Sequence, residues 1–430
     1  MGKIKVMSVF GTRPEAIKMA PVIRALEANP EIESRVAVTA QHREMLDQVL
    51  NSFSIKTDYD LNIMDYNQSL EQVTVRVLER LTPVLEREKP DILLVHGDTA
   101  TTAASALAAY YLKLPCGHVE AGLRTYDKYA PFPEEMMRKI ADDISDLHFA
   151  PTVKAKENLL REGFAQETIF VTGNTVVDAL LMTIKDDYTF KDLRLRALLP
   201  YPARTAGHYG GGRRRDGAGE PNNDGDLSCP QQNAGFKSGK NILVEVHRRE
   251  NFGTGMEEIG RALRWIAENR DDARLLVSMH PNPNVREPIM RWLKDAPRTA
   301  MFEPLNYPDY VNLMARCYLI ITDSGGVQEE APSVRVPVVL CREKTERPEA
   351  VDAGVVVLVG SRFSAITTVV SRLLDGGPDY EGMRSGKNPF GDGFASRRIV
   401  DAILYKYNLI RMRPHEFGEE GDWGARIQGV

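Results

Sequence analysis

Short apolar runs rich in β-branched residues alternate with longer amphipathic stretches along the whole chain, and that alternation restricts the fold more than any other feature. In the first half the runs are IKVMSVF (4–10), RVAVTA (35–40), DILLVHG (91–97), CGHVEAG (116–122), DLHFAP (146–151) and TIFVTGN (168–174). Helical spacing occupies 14–28, 69–88, 101–112, 134–144 and 174–187. Near-continuous apolar strands separated by helices imply parallel sheets covered on both faces. The rhythm restarts after residue 240 with NILVEVH (241–247), RLLVSMH (274–280), TAMFEP (299–304), YLIITDS (318–324), PVVLC (337–341) and VVVLVG (355–360). The expectation is an α/β protein with two doubly wound, Rossmann-like domains, 1–187 and 241–390.

A linker over 188–240 joins them, and its 203–239 portion is rich in Gly, Asn, Asp and Arg and nearly free of aliphatic residues. Such a composition cannot offset its own ordering entropy, which predicts a flexible insertion. A helix-like segment at 391–410 is placed to pack back across the domains, and 411–430 reads as a weakly ordered tail.

Composition narrows the partners. A formal charge of −5 gives no global basic field for nucleic acid or an acidic membrane surface. No apolar stretch approaches the roughly 20 residues that span a bilayer, and MGKIKV runs directly into a strand, so a cytoplasmic protein is expected. Cys116, Cys229, Cys317 and Cys341 are far apart, which favours reduced thiols over a disulfide framework or a zinc site. Among the histidines there is no HExxH, and no metal is expected. His118 and His148 lie in apolar strands and read as satisfied core residues, whereas His42 and His280 sit at strand-to-helix turns.

Ligands of open α/β sheets bind at the carboxyl ends of the strands, and the polar residues of this chain gather there. GTRPEAIKMAP (11–21) places Arg13 and Lys18 at the first strand-to-helix turn, where backbone N–H groups and fixed cations suit a phosphate or diphosphate. Asp98 and Glu120 end two strands, while Glu134 opens a helix and has Arg138 one turn on. His247 lies in HRREN, where neighbouring cations favour a neutral imidazole unless an anion binds. In DSGGVQEEAP (323–332), Gly325 and Gly326 admit an anion to the backbone, Ser324 adds a hydroxyl, and Glu329 or Glu330 suits vicinal sugar hydroxyls. Each such position also reads as a cap or turn residue taken alone. No GxGxxG stands at the first turn and GxxxxGK[ST] is absent, which speaks against NAD and ATP; no cofactor is expected.

With those residues in view, the chain resembles the non-hydrolysing UDP-N-acetylglucosamine 2-epimerases. GTRPEAIKMAP, TAQHREMLDQVL, HGDTATT, HVEAGLRTYD, PFPEEMMRK, VTGNTVVDAL, HRRENFG, DSGGVQEEAP and TERPEAV follow that family's blocks in order, outside 203–239 and the tail. The resemblance implies two Rossmann-like domains facing across a cleft (the GT-B, glycogen phosphorylase-like architecture), a homodimer, and a UDP-sugar as ligand. It implies interconversion of UDP-N-acetylglucosamine and UDP-N-acetylmannosamine through elimination of UDP to a 2-acetamidoglucal, in cell-envelope polysaccharide synthesis. Arg13, Lys18, His247, Ser324, Gly325 and Arg347 are then expected on the diphosphate, with Gly326 beside them, Glu330 on the ribose and Tyr310 near uracil. Asp98, Glu120 and Glu134 are the expected proton-transfer carboxylates, Arg138 orients sugar or carboxylates, and His247 joins the catalytic set. Glu44 and Asn67 stand where a glutamine and an arginine would serve activation by a second substrate molecule, so such activation is not expected. The rival readings are a C2 epimerase of a UDP-diacetamido-uronic acid, a GT-B glycosyltransferase, a hydrolysing epimerase and a nucleotide-sugar sensor.

Overall fold

The structure, a computed structural model, describes residues 2–39, 43–64, 68–199 and 239–419, with only the backbone of 43–45. His42, Asn67, Cys229, the side chain of Glu44, the insertion from 203 to 238 and the tail from 420 lie outside the described residues. The chain divides into two compact units: Met1–Ile184 with Asn306–Pro308 and Lys387–Val430, and Lys185–Leu305 with Asp309–Gly386.

The first unit runs β1 (Ile4–Phe10), α1 (Arg13–Glu27), β2 (Ile32–Val38), α2 (Arg43–Ser52), β3 (Tyr59–Asp60), α3 (Leu70–Glu88), β4 (Ile92–His96), α4 (Ala100–Tyr111), β5 (Cys116–Val119), α5 (Glu134–Ile144), β6 (Leu147–Ala150), α6 (Val153–Arg161), β7 (Ile169–Val171) and α7 (Thr175–Thr183). Its seven strands pair in parallel in the order β3-β2-β1-β4-β5-β6-β7. The second runs α8 (Leu193–Leu198), β8 (Lys240–Glu245), α9 (Thr254–Asn269), β9 (Ala273–Ser278), α10 (Pro283–Leu293), β10 (Thr299–Phe302), α11 (Tyr307–Met314, its first turn shared with the first unit), β11 (Leu319–Thr322), α12 (Gly325–Glu330), β12 (Val338–Leu340), α13 (Pro348–Asp352), β13 (Val356–Leu358), α14 (Phe363–Leu374) and α15 (Pro378–Ser385). Its six strands are parallel in the order β10-β9-β8-β11-β12-β13. Both units therefore show the doubly wound topology, whose strand order reverses once, between β1 and β4 and between β8 and β11.

The cores follow from the apolar runs. Met7, Val9, Leu93 and Val95 pack with Val77, Leu81 and Ala104 from α3 and α4, and Ile242, Val244, Leu275 and Ile321 pack with Ile259, Leu263 and Val370 from α9 and α14. Each such aliphatic contributes about 1.5–3 kcal/mol by leaving water. β2 begins at Ile32, three residues ahead of the apolar run, because its polar start is satisfied at the sheet edge: Glu33 pairs with Arg35 at 2.7 Å and Arg35 with Asp58 at 3.2 Å.

The chain returns to the first unit with α16 (Ala395–Lys406), which packs on α1 and α7. Asp178 of α7 directs this docking, accepting from Ser396 N at 2.8 Å, Ser396 Oγ at 2.6 Å and Ala395 N at 3.2 Å at the start of a helix whose own N-cap, Phe394, supplies no side-chain bond. Beyond α16, Phe417 N donates to Val171 O at 2.7 Å and Lys156 pairs with Glu416 at 2.6 Å. Cys116, Cys317 and Cys341 are buried free thiols, and among the described residues no helix is long and apolar enough to cross a membrane.

Candidate functional site

The reversal between β1 and β4 opens a cavity of about 430 Å³ in the first unit, lined by Thr12, Pro14, Glu15 and Lys18 after β1, by His96 at the end of β4 with Gly97, Asp98 and Thr99 after it, and by Glu120 after β5. This is where a doubly wound sheet leaves room for a ligand. Lys18, Asp98 and Glu120 meet here as neighbours, although 102 residues separate the first from the last.

The turn before α1 departs from the sequence expectation. Among the backbone N–H groups expected there to suit a phosphate, those of Gly11 and Thr12 both donate to Glu15 Oε2, at 2.9 and 2.7 Å. The other oxygen, Oε1, accepts from Thr99 Oγ1 at 2.7 Å and Thr102 Oγ1 at 3.2 Å, so one carboxylate straps the turn after β1 to the turn after β4. Burial raises its pKa above the ordinary value in spite of these bonds. The fixed cations of this turn are Arg13 and Lys18, both half-buried on α1. The signature Thr12-x-x-Glu15 is a capping box and would have disclosed the competing carboxylate.

Asp98 is paired with Arg138, which also reaches Glu135 Oε2 at 3.4 Å. Of the two glutamates opening α5, Glu135 is buried and accepts the N–H groups of Thr125 and Tyr126, a structural role. Glu134 is half-buried, its Oε2 has no hydrogen-bond partner among the described residues, and it does not line the cavity. Glu120 has φ +69°, a left-handed conformation that strains a non-glycine residue and that clusters at functional sites. Its Oε2 meets Lys18 and accepts from Asn174 Nδ2 at 2.9 Å.

Beneath these groups, His118 Nε2 donates to Gly97 O at 2.7 Å while Nδ1 contacts Asp142 Oδ1 at 2.6 Å, tying the Asp98 turn to the strand that carries Glu120. Burial pushes Asp142 up, but His118 and Arg124, the latter at 2.8 Å, outweigh it and hold the carboxyl below its ordinary value. His118 is thus a satisfied core residue, as is His148, whose Nε2 donates to Asp142 O at 2.9 Å. Among the described residues no cluster of His, Cys, Asp and Glu suits a metal.

In the second unit the reversal lies between β8, followed by His247, and β11, followed by Ser324. Buried Asp323 shapes this turn by accepting His247 N at 2.8 Å, Arg248 N at 3.0 Å and Asn251 Nδ2 at 2.9 Å. His247 stacks on His280 with ring centres 5.5 Å apart. Burial lowers its pKa, and Arg248 and His280 add to that against Asp323, so a neutral ring is favoured. A Cβ on Gly325 would lie 2.6 Å from Arg347 Nη1 and 3.2 Å from Arg248 Nη2, so only glycine lets both guanidinium groups close on this turn. A Cβ on Gly326 would meet nothing within 4 Å. Arg347 is braced by Glu329 at 2.6 Å, while Glu330, buried like Glu329, lies near Tyr310. The Tyr310 hydroxyl donates to Glu245, and burial together with that carboxylate raises its pKa well above the ordinary value. Arg248, whose Nε has no partner among the described residues, was not singled out from sequence, though HRREN announced its charge.

The sequence profile of the UDP-N-acetylglucosamine 2-epimerases matches residues 24–198 and 223–404. The chain belongs to the UDP-N-acetylglucosamine 2-epimerase family. Within that family it is 46% identical to the UDP-N-acetylglucosamine 2-epimerase of Bacillus subtilis, covering 97% of this chain and 99% of the relative. It is 49% identical to the Escherichia coli K12 enzyme of the same name, over 93% and 98%. Among solved structures it is similar to the UDP-GlcNAc 2-epimerase of Neisseria meningitidis bound to UDP-GlcNAc, with a TM-score of 0.76, 44% identity and coverage of 93% and 99%. The epimerase family is an isomerase family with two doubly wound α/β domains, in accord with the fold described above.

Proposed function

We propose that this protein epimerises UDP-N-acetylglucosamine at C2, giving UDP-N-acetylmannosamine, by elimination and re-addition of UDP. The observation that carries the reading is the meeting of Asp98, Glu120 and Lys18 in one cavity at the sheet reversal. The C2 hydrogen is not adjacent to a carbonyl, so direct deprotonation is prohibitive. If the C1–O bond breaks first, its electron pair leaves with UDP and the ring carbon becomes cationic, which acidifies C2–H. A carboxylate then takes the proton, the C–H pair forms the C1–C2 double bond of a 2-acetamidoglucal, and return of proton and UDP with the opposite configuration at C2 completes the cycle. Such a route needs stabilised diphosphate and an acid or base at each sugar face.

In this proposal Arg13, Lys18, His247, Ser324, Gly325 and Arg347 hold the diphosphate, with Arg248 added on its position beside Gly325. Glu330 meets the ribose and Tyr310 lies by the uracil. Asp98, Glu120 and Glu134 divide the proton transfers, and Arg138 orients Asp98. The relative from Neisseria meningitidis bound to UDP-GlcNAc supports the choice of ligand. Homodimerisation and a cytoplasmic location are carried over from the family alone.

Positional isotope exchange tests the elimination. With ¹⁸O in the anomeric bridge, C1–O cleavage lets the label scramble into the non-bridging β-phosphate oxygens, seen as a ³¹P shift. Epimerisation without scrambling would rule out release of UDP and require another route.

A further inference from the structure

β4 ends in a histidine to which the mechanism above gives no task. His96 is 3% exposed, lines the cavity, and has no hydrogen-bond partner on either ring nitrogen among the described residues. Burial lowers its pKa to about 3, so the ring is neutral at working pH and carries one N–H and one lone pair. Buried polar groups in folded proteins are nearly always paired, and an exception at a binding cavity calls for a state in which the bond is made.

The candidate acceptor is close. His96 Nε2 lies 4.0 Å from Glu120 Oε2. That oxygen already meets Lys18 Nζ and Asn174 Nδ2, and a carboxylate oxygen has two lone-pair sites. The third donor is therefore left outside bonding distance by about 1 Å. The diphosphate reading, on which this inference rests, sets Lys18 a conflicting task, because an ammonium drawn to a phosphate leaves its carboxylate.

We propose that His96 is the positioning residue of Glu120 in the liganded enzyme: when an anionic ligand draws Lys18 away, His96 Nε2–H donates to the vacated site on Glu120 Oε2. Replacing an ammonium by a neutral donor strengthens the carboxylate as a base, and does so only once the leaving group is bound. The other charged groups around this point are committed. His118 from β5 is held by Asp142 and Gly97 O, Asp98 by Arg138, and Glu15 from α1 by Gly11 and Thr12. The ring at the end of β4 is the group with both nitrogens still to satisfy.

The test compares wild type, His96→Leu and His96→Gln, whose amide nitrogen reaches the place of Nε2. Deuterium entry at C2 and steady-state epimerisation are followed from pH 5 to 9, with melting of each free protein. His96→Leu should lower kcat about ten- to a hundred-fold at unchanged KM, the effect of one bond to a charged group. The acidic limb of kcat, which reports the complex, should move to higher pH, while that of kcat/KM should stay. His96→Gln should restore most of kcat, and the leucine variant should melt no lower than wild type because it removes unpaired polar atoms. Wild-type kcat and pH profile in His96→Leu would overturn the inference, as would equal losses in both variants accompanied by lower melting temperatures. Failure of the wild type to exchange C2 would overturn the functional reading and this inference with it.

Discussion

Glu15 gives a prediction whose sign opposes that of an ordinary capping glutamate. A carboxylate accepting helix N-terminal N–H groups commonly has a lowered pKa, and its contribution is then lost on acidification. Here burial outweighs the bonds from Thr99, Gly11 and Thr12, and the pKa is raised above its ordinary value. The folded chain thus holds this proton more tightly than the unfolded one. Its contribution is fully present below the unfolded value and declines as pH rises through the folded value, by at most about 1.4 kcal/mol per pH unit. Glu15→Gln copies the protonated side chain: its carbonyl can accept from Gly11 and Thr12, and its amide can donate to the two threonine hydroxyls. This variant should match wild type near pH 4 and gain on it as pH rises to 7.5. Glu15→Ala instead strands the buried Gly11 N–H and the half-buried Thr12 N–H, at about 1–3 kcal/mol for each donor left unmet. Solvent from the adjacent cavity can reach Thr12, and the threonine hydroxyls keep partners in each other and in His96 O at 2.6 Å, so a total of about 2–4 kcal/mol is expected. Urea unfolding of the three proteins at pH 4.5, 6 and 7.5 measures both effects. The reasoning fails if Glu15→Gln loses ground to wild type as pH rises, or if Glu15→Ala costs less than about 0.5 kcal/mol.

Three further perturbations follow from the geometry. Asp98→Asn and Glu120→Gln should each lower kcat by about 10²–10⁴ while UDP affinity by calorimetry changes little; near-normal turnover in both would remove them from the chemistry. Gly325→Ala should push Arg347 off Glu329 and weaken UDP binding about ten-fold, whereas Gly326→Ala should bind as wild type, since only the first Cβ has a neighbour to meet; equal affinities would refute the packing argument. Asp178→Ala should cost about 2–4 kcal/mol by stranding the first N–H groups of α16, and an unchanged urea midpoint would show that the helix docks without that carboxylate.

The strands and the helices α1, α3, α4, α5 and α7 were legible because their signal is local: IKVMSVF and NILVEVH are read within seven residues. The end-of-strand rule then put Asp98, Glu120, His247 and Ser324 at the carboxyl ends of strands, and the structure has them after β4, β5, β8 and β11. In the first unit α2, α6 and β3 were given no bounds, α6 because Ala155 and Leu159 make a sparse apolar stripe and β3 because two residues have no periodicity. What spacing could not yield is who holds whom. Lys18 on Glu120, Thr99 on Glu15 and Asn174 on Glu120 are bonds across 102, 84 and 54 residues, created by the parallel order of β1, β4, β5 and β7. Two of the backbone N–H groups expected to suit a phosphate at the first turn, those of Gly11 and Thr12, are engaged by the carboxylate of Glu15, a competition that the capping-box pattern encodes. His96 passed unnoticed inside HGDTATT because an unpaired imidazole differs from a satisfied one only by its surroundings. A helix packing back was expected at 391–410, but its docking on α1 and α7 has no signal, since the apolar face of α16 would fit any helical layer.

The central claim, exchange of the C2 proton during interconversion of two UDP-sugars, is tested most directly by proton NMR of UDP-N-acetylglucosamine with the purified protein in D₂O. The account predicts a new anomeric signal from UDP-N-acetylmannosamine and deuterium at C2 of the sugar. Free N-acetylmannosamine with UDP, or an unchanged spectrum, would contradict it.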